Sequence, residues 1–354
     1  MITLTHTEDL TNINDAINSA IARISARAQG YGASTQALAD AIRHAAAGGK
    51  RFRPLLVSAS FNAFGGSADA EQSVSDIAAA FELLHTAFVV HDDVIDHDTM
   101  RRGELNISGT FFERAQAQGA SPAGSALFGE AAAILAGDLL LHEANRLVAL
   151  APLAGETRTR IIDLIDDAVF VSAVGELADV ENSLTGNSAQ TASLIATAHD
   201  KTAVYSFSSP LRAGALLAGA DEVAIAAVGT AGSSLGLAFQ LVDDLIGAFG
   251  TQQQAGREPG ADLRESKQTA LIALARQTTT WPRVSAALSQ AHTGPVAVRE
   301  AQHAIAESGA RDELMNLIIR TVRTARAQSE VHSLPPRVGA LLADIANAVE
   351  ERIP

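Results

Sequence analysis

Residues 82–103 read ELLHTAFVVHDDVIDHDTMRRG, and this stretch decides the fold. Ile77, Phe81, Leu84 and Phe88 recur at steps of 4, 3 and 4, the period of a helix with one buried face. The pattern predicts a helix over about residues 70–98. A second stripe on the same helix runs Glu82, His85, Val89, Asp92, Asp96, and it is mostly polar. Asp92 and Asp96 are four apart, so they share a helical face. Two carboxylates held that close repel each other unless a cation sits between them. A solvated helix end would be salted with Lys and Glu. Here the flanks are Phe88, Val89, Val90, Val94 and Ile95, which argues for an interior cavity.

The same pattern returns 151 residues later. FVVHDDVID (88–96) aligns without gaps on FQLVDDLIG (239–247). Asp243 stands where Asp92 stands, and Ser233, Gly236, Gln240, Asp243 and Gly247 repeat the spacing of 3, 4, 3 and 4. The small residues upstream are expected to keep a cavity open. One acidic helix end is often only a solvated terminus; two matched copies in apolar helices outweigh that reading. Hard oxygen ligands select Mg²⁺, with Mn²⁺ as a second choice, over zinc. Mg²⁺ typically keeps waters and takes one or two carboxylates plus substrate phosphates. Two such clusters could grip one diphosphate.

Working outward, the chain reads as helices end to end. Further helical runs are expected at about 11–30, 34–48, 54–63, 129–149, 156–183, 190–199, 202–218, 221–248, 266–276, 296–307, 310–328 and 335–351. Gly65-Gly66, Ala151-Pro152 and 256–260 are turn signals. Residues 103–126 and 250–265 read as the longest loops, and long ordered loops are often lids. No linker or low-complexity tract is visible. The expectation is all-α: a single helical bundle over 1–354 around a deep central cavity, with its motifs in 48–274.

Composition excludes several classes. The 354 residues carry 26 Lys+Arg against 40 Asp+Glu, a formal charge of −14, which argues against nucleic acid as a partner. With 47% hydrophobic residues the chain is globular rather than disordered. Cysteine is absent, so disulfides, thiolate metal sites and cysteine nucleophiles are excluded. That suits a reducing cytoplasm. No basic segment leads into an apolar core at the N-terminus, and no run reaches 18 uninterrupted apolar residues, so neither a signal peptide nor stable membrane insertion is expected.

The cations then stand out. Only three of the 26 basic residues are lysines, Lys50, Lys201 and Lys267, and each falls in a polar segment. In GGKRFRP (48–54), Pro54 suits a first helical turn, and Lys50 and Arg53 can converge on one anion there. Arg101 and Arg102 follow the first acidic cluster, where they could simply neutralise it. Glu82 and His85 also spell the E-x-x-H of di-iron helices, but no second copy exists in the chain.

Taken together, GGKRFRP, ELLHTAFVVHDDVIDHDTMRRG, HDKTA, FQLVDDLIGAFG and GREPGADLRESKQTALI, in this order, resemble the trans-isoprenyl diphosphate synthases of the polyprenyl synthetase family. The resemblance implies an all-α, usually homodimeric enzyme that condenses isopentenyl diphosphate with an allylic diphosphate (dimethylallyl, geranyl or farnesyl). By motif match, Asp92, Asp96 and Asp243 would hold Mg²⁺, supported by Asp93 and Asp244. Arg101, Lys201 and Lys267 would contact the allylic diphosphate, with Thr202 and Gln240 near its reacting end. Lys50, Arg53, His85 and Arg102 would hold isopentenyl diphosphate. Ala87 and Phe88 stand where a growing tail must pass, and they suggest a geranylgeranyl product, with farnesyl or longer chains as alternatives. Four departures stand against the pattern. Gly247 replaces a common third Asp, so metal binding there would be weaker or completed by water. Arg257 replaces a common Lys while keeping a substrate-binding charge, Glu176 replaces a Gln, and ELNISGTF (104–111) is atypical. A non-catalytic partner subunit, a terpene cyclase and a plain helical scaffold are the competing readings.

Overall fold

A computed structural model describes residues 7–184, 190–255 and 258–354. Arg257 lies outside the described residues. The helices gather into two compact units.

The first unit spans residues 7–163 and 213–219. It holds α1 (Thr7–Ala28), α2 (Ala33–Ala46), α3 (Phe52–Ala63), α4 (Glu71–Ile95), a short ribbon of β1 (Met100–Arg101) and β2 (Glu104–Leu105), α5 (Ile107–Ala117), α6 (Pro122–Leu150) and the start of α7 (Gly155–Leu184). The second unit spans 164–212 and 220–354. It holds the rest of α7, α8 (Thr191–Ala198), a π-helical segment (His199–Ser208), the start of α9 (Ser209–Leu217), α10 (Glu222–Phe249), α11 (Gln252–Ala255), α12 (Ala261–Arg264), α13 (Ala270–Arg276), α14 (Trp281–Gln290), α15 (Pro295–Glu307), α16 (Ala310–Ser329) and α17 (Pro336–Glu350).

The apolar stripe of α4 does what its period requires. Ile77, Phe81 and Leu84 are fully buried, and α4 packs on α1, α3 and α6. In the second unit α10 packs on the π-helical segment, α16 and α17. These two helices carry the acidic motifs, so each motif is held by the core of its own unit.

Two expectations need correction. The stretch 103–126 is not a loop. Asn106 caps α5 by accepting from the Gly109 N–H (2.8 Å), and Ser121 with Pro122 at its first turn starts α6. Both are ordinary start signals, obscured by the many Gly, Gln and Ser between them. The gap expected between 199 and 202 is also closed: α8 runs through the π-helical segment into α9.

By length and mean hydropathy alone, Ala68–Ile95, Pro122–Leu150 and Glu222–Phe249 could each cross a membrane. The apolar window of the first is 78% buried within the protein, whereas that of Pro122–Leu150 is only 39% buried.

Candidate active site

Acids at the end of α4 stand where a helix disfavours them, because its C-terminus carries partial negative charge. Asp92 is half-buried, Asp93 is 4% exposed, and Asp96 follows the last turn as an exposed residue. Arg101 compensates. Its Nε donates to Asp93 Oδ1 (2.9 Å), its terminal nitrogen also binds Asp93, and it lies 3.7 Å from Asp92. The ribbon delivers it: Arg102 and Gly103 turn the chain with φ of 56° and 83°. Burial pushes the Asp93 carboxyl up, against the pull of Arg101. Arg101 therefore neutralises the first motif.

The glycine loop before α3 supplies the cations. Gly48 and Gly49 have φ of 72° and 84°, a left-handed turn that other residues resist. The Cβ that Gly49 lacks would lie 3.7 Å from an Arg102 nitrogen, so the loop runs beside that guanidinium. Arg51, also left-handed (φ 50°), turns inward and binds Asn14 (3.0 Å), Glu82 (2.9 Å) and the Ala46 carbonyl (3.0 Å). Glu82 is thus the buried partner of Arg51, which removes the di-iron reading. Arg53 lies in the first turn of α3, whose start carries no side-chain cap among the described residues. Lys50 is exposed.

His85 lies within the influence of Arg53, Arg102 and Arg101. Burial first, then those three charges, hold its imidazole well below the ordinary 6.5. It is therefore neutral at pH 7 and can donate one hydrogen bond without adding charge. The unfolded chain takes up a proton near pH 6.5 that the folded chain refuses. Stability should thus fall as pH drops below 6.5, by at most about 1.4 kcal/mol per pH unit. Urea unfolding at pH 7.5 and 5.5 should show His85→Gln losing less stability between them than the parent chain; an equal loss would contradict this.

In the second unit the face Ser233, Gly236, Gln240, Asp243 is not an open wall. Ser233 bonds His199 (2.7 Å), and a Cβ at Gly236 would lie 2.6 Å from Ala203 Cα. These small residues let α10 approach the π-helical segment; they do not keep a cavity open. Gly175 does the same from α7, where a Cβ would lie 2.4 Å from the Lys201 nitrogen. Two glycines thus fix the backbone of Lys201 and Thr202. π-helical turns are frequent at functional sites. Lys201 binds Glu176 (3.1 Å) and Asp179 (2.9 Å), so the atypical Glu176 serves as its anchor.

Thr202 donates to Gln240 (2.8 Å), and Gln240 donates to Asp244 (2.9 Å). Burial, together with Asp262, Asp243 and Asp179, pushes the Asp244 carboxyl up to about 7. Asp243 pairs with Arg352. Lys267 is exposed, 3.7 Å from Glu265. At Gly247, a Cβ would fall 1.7 Å from Asp262 Oδ2. The space beside Gly247 is therefore filled by the carboxylate of the buried Asp262. Asp262 lies inside the quoted GREPGADLRESKQTALI, yet spacing alone gave it no role. Arg352 stands outside every motif. Ala87 is fully buried and Phe88 half-buried, so Phe88 is the one with surface left for a ligand.

The donor set fits a hard divalent cation. All candidates are carboxylate oxygens, and a cation would offset the burial, and after it the acidic crowding, that raise Asp244. Among the described residues no three acidic or histidine side chains already converge as a coordination shell.

Residues 35–305 match the polyprenyl synthetase family, and the chain belongs to that family. A geranylgeranyl diphosphate synthase of Sulfolobus acidocaldarius is 33% identical over 227 residues, 64% of this chain and 62% of that protein. The match thus spans less than two thirds of that relative's length. A farnesyl diphosphate synthase of Bacillus subtilis is 32% identical over 230 residues, 63% of this chain and 70% of that one. The crystal structure of a Corynebacterium glutamicum geranylgeranyl pyrophosphate synthase, complexed with isoprenyl diphosphate and magnesium, is similar with a TM-score of 0.88. It is 29% identical and covers 96% of this chain and 97% of that one. The all-α isoprenoid synthase fold expected from the sequence is borne out.

Proposed function

We propose that this chain is a metal-dependent prenyltransferase that joins isopentenyl diphosphate to an allylic diphosphate and releases a trans-polyprenyl diphosphate, chiefly geranylgeranyl diphosphate. The observation that carries it is the pairing, in one unit, of an acidic helix end with an arginine-rich anion site around a neutral His85. A hydrolase would need a base aimed at water; these residues instead suit two diphosphates.

Asp92, Asp96 and Asp243 would hold Mg²⁺ (Mn²⁺ as a substitute), and Asp93 and Asp244 would support them. When bound, the metal supplies positive charge to the departing diphosphate. Arg101, Lys201 and Lys267 add to that charge and keep the leaving group oriented. Lys50, Arg53, Arg102 and the α3 N-terminus bind isopentenyl diphosphate, with His85 donating a neutral hydrogen bond. The allylic C–O bond breaks, and the isopentenyl double bond attacks the resulting cation to form the new C–C bond. A proton is then lost, with the released diphosphate as acceptor. Thr202 and Gln240, linked in one hydrogen-bonded chain, offer oxygen dipoles to the allylic cation. The carboxylate of Asp262 beside Gly247 weakens the case for a non-catalytic subunit.

Exposed Phe170, Val174 and Leu177 form one stripe on α7, and Leu127, Ile134 and Leu135 lie exposed on α6. Such apolar stripes favour self-association as a homodimer. Light scattering should give twice 36.7 kDa; a monomer would contradict this.

The functional test incubates the chain with isopentenyl diphosphate and C5, C10 or C15 allylic primers, in Mg²⁺ or EDTA. A C20 product in Mg²⁺ alone is expected; no product from folded protein would overturn the reading. Phe88→Ala should lengthen the dominant product by at least one isoprene unit, seen by chromatography of the dephosphorylated alcohols. An unchanged length would remove Phe88 as the limit.

A further inference from the structure

We infer that Arg352 is a further diphosphate-binding residue: it pairs with Asp243 in this structure, and on binding it releases Asp243 to the metal and donates to the incoming diphosphate. This rests on the function proposed above.

Arg352 is delivered by a packed helix end. Val349 and Ile345 of α17 are at most 1% exposed. Arg326 of α16 ties the same helix down through Glu350 (2.8 Å) and Asn347 (2.7 Å). The Arg352 N–H continues the last turn by donating to the Val349 carbonyl (3.2 Å). Its guanidinium then pairs with Asp243 and stacks over the Phe239 ring, 4.0 Å from the centroid. Phe239 lies one turn before Asp243 on α10, so one helix face supports both contacts.

Two features exceed a structural clamp. The first is the partner: Asp243 is the second-motif ligand of the proposed metal, and a guanidinium and a metal ion compete for the same carboxylate. The second is a leftover donor. Arg352 Nη1 is buried with no acceptor among the described residues. A buried unsatisfied donor is costly, and a guanidinium fork matches phosphate oxygens. A diphosphate arriving with its metal would give Nη1 an acceptor as Asp243 is taken over. Arg101 on Asp93 and Lys201 on Asp179 follow the same logic: each cation sits on a carboxylate.

The test is Mn²⁺ binding by electron paramagnetic resonance, followed by calorimetry of inorganic diphosphate at saturating Mn²⁺. In Arg352→Gln, Mn²⁺ alone should bind about 3–10-fold tighter, because its competitor is gone. Diphosphate should bind about tenfold weaker, because a charged donor is lost. Arg352→Lys should leave Mn²⁺ binding near that of the parent but weaken diphosphate, lacking the fork. In an Asp243→Asn background, Arg352→Gln should no longer change Mn²⁺ affinity. A folded Arg352→Gln chain whose Mn²⁺ affinity is unchanged or weaker would overturn the inference and leave Arg352 a helix clamp. A parent chain with no saturable Mn²⁺ binding would instead overturn the proposed function, and this inference with it.

Discussion

Asp92→Asn should lower kcat by about 10²–10³-fold while leaving the protein folded. Asp92 is half-buried at the end of α4, beside Arg101 and the buried Asp93. Removing its charge leaves Arg101 still neutralised by Asp93, so the unit keeps its internal ion pair. What is lost, under the proposed function, is a hard oxygen ligand for the metal. The loss should appear in kcat more than in the KM for isopentenyl diphosphate, whose cations lie at α3. Under the proposed function, Asp243→Asn should act similarly. Steady-state kinetics with an unchanged circular dichroism spectrum would check this. A single variant within threefold of the parent would remove Asp92 from the chemistry.

Arg51→Ala should cost about 3–5 kcal/mol of stability, the largest effect expected from a residue outside the chemistry. The Arg51–Glu82 pair is 11% and 8% exposed, and Arg51 also satisfies Asn14 and the Ala46 carbonyl. Truncation leaves Glu82 buried without its cation. It also removes the inward tether of the glycine loop, so the KM for isopentenyl diphosphate should rise. Replacing both partners, Arg51→Met with Glu82→Met, should recover most of the stability, because no buried charge remains. Urea midpoints of the three chains decide the matter. A loss below about 1 kcal/mol in Arg51→Ala would show the pair to be solvated and of little weight.

The parts of this protein most legible in its sequence were those with period and repetition. The α4 stripe of Ile77, Phe81 and Leu84 signals a buried helix face, and the doubled Asp-Asp segments are visible without any structure. Other parts depend on contacts between distant residues, which spacing does not encode. Arg51 and Arg53 look alike in GGKRFRP, yet one is spent on Glu82 and the other lies near His85. Gly236 reads as cavity space and proves to be close helix packing, because only Ala203, 33 positions earlier, reveals what it touches. Gly247 reads as a loss until Asp262 is seen in its place. Arg352 carries no motif at all; α17 alone brings it to Asp243.

The proposed function turns on ionisation of an allylic diphosphate that is captured by a second diphosphate rather than by water. The most direct measurement is the release of inorganic diphosphate from geranyl diphosphate in Mg²⁺, with and without isopentenyl diphosphate. The account predicts release that depends on isopentenyl diphosphate, one diphosphate per new C–C bond, and almost none without it. Equal release in its absence, with geraniol as the product, would contradict it and make the protein a diphosphate hydrolase.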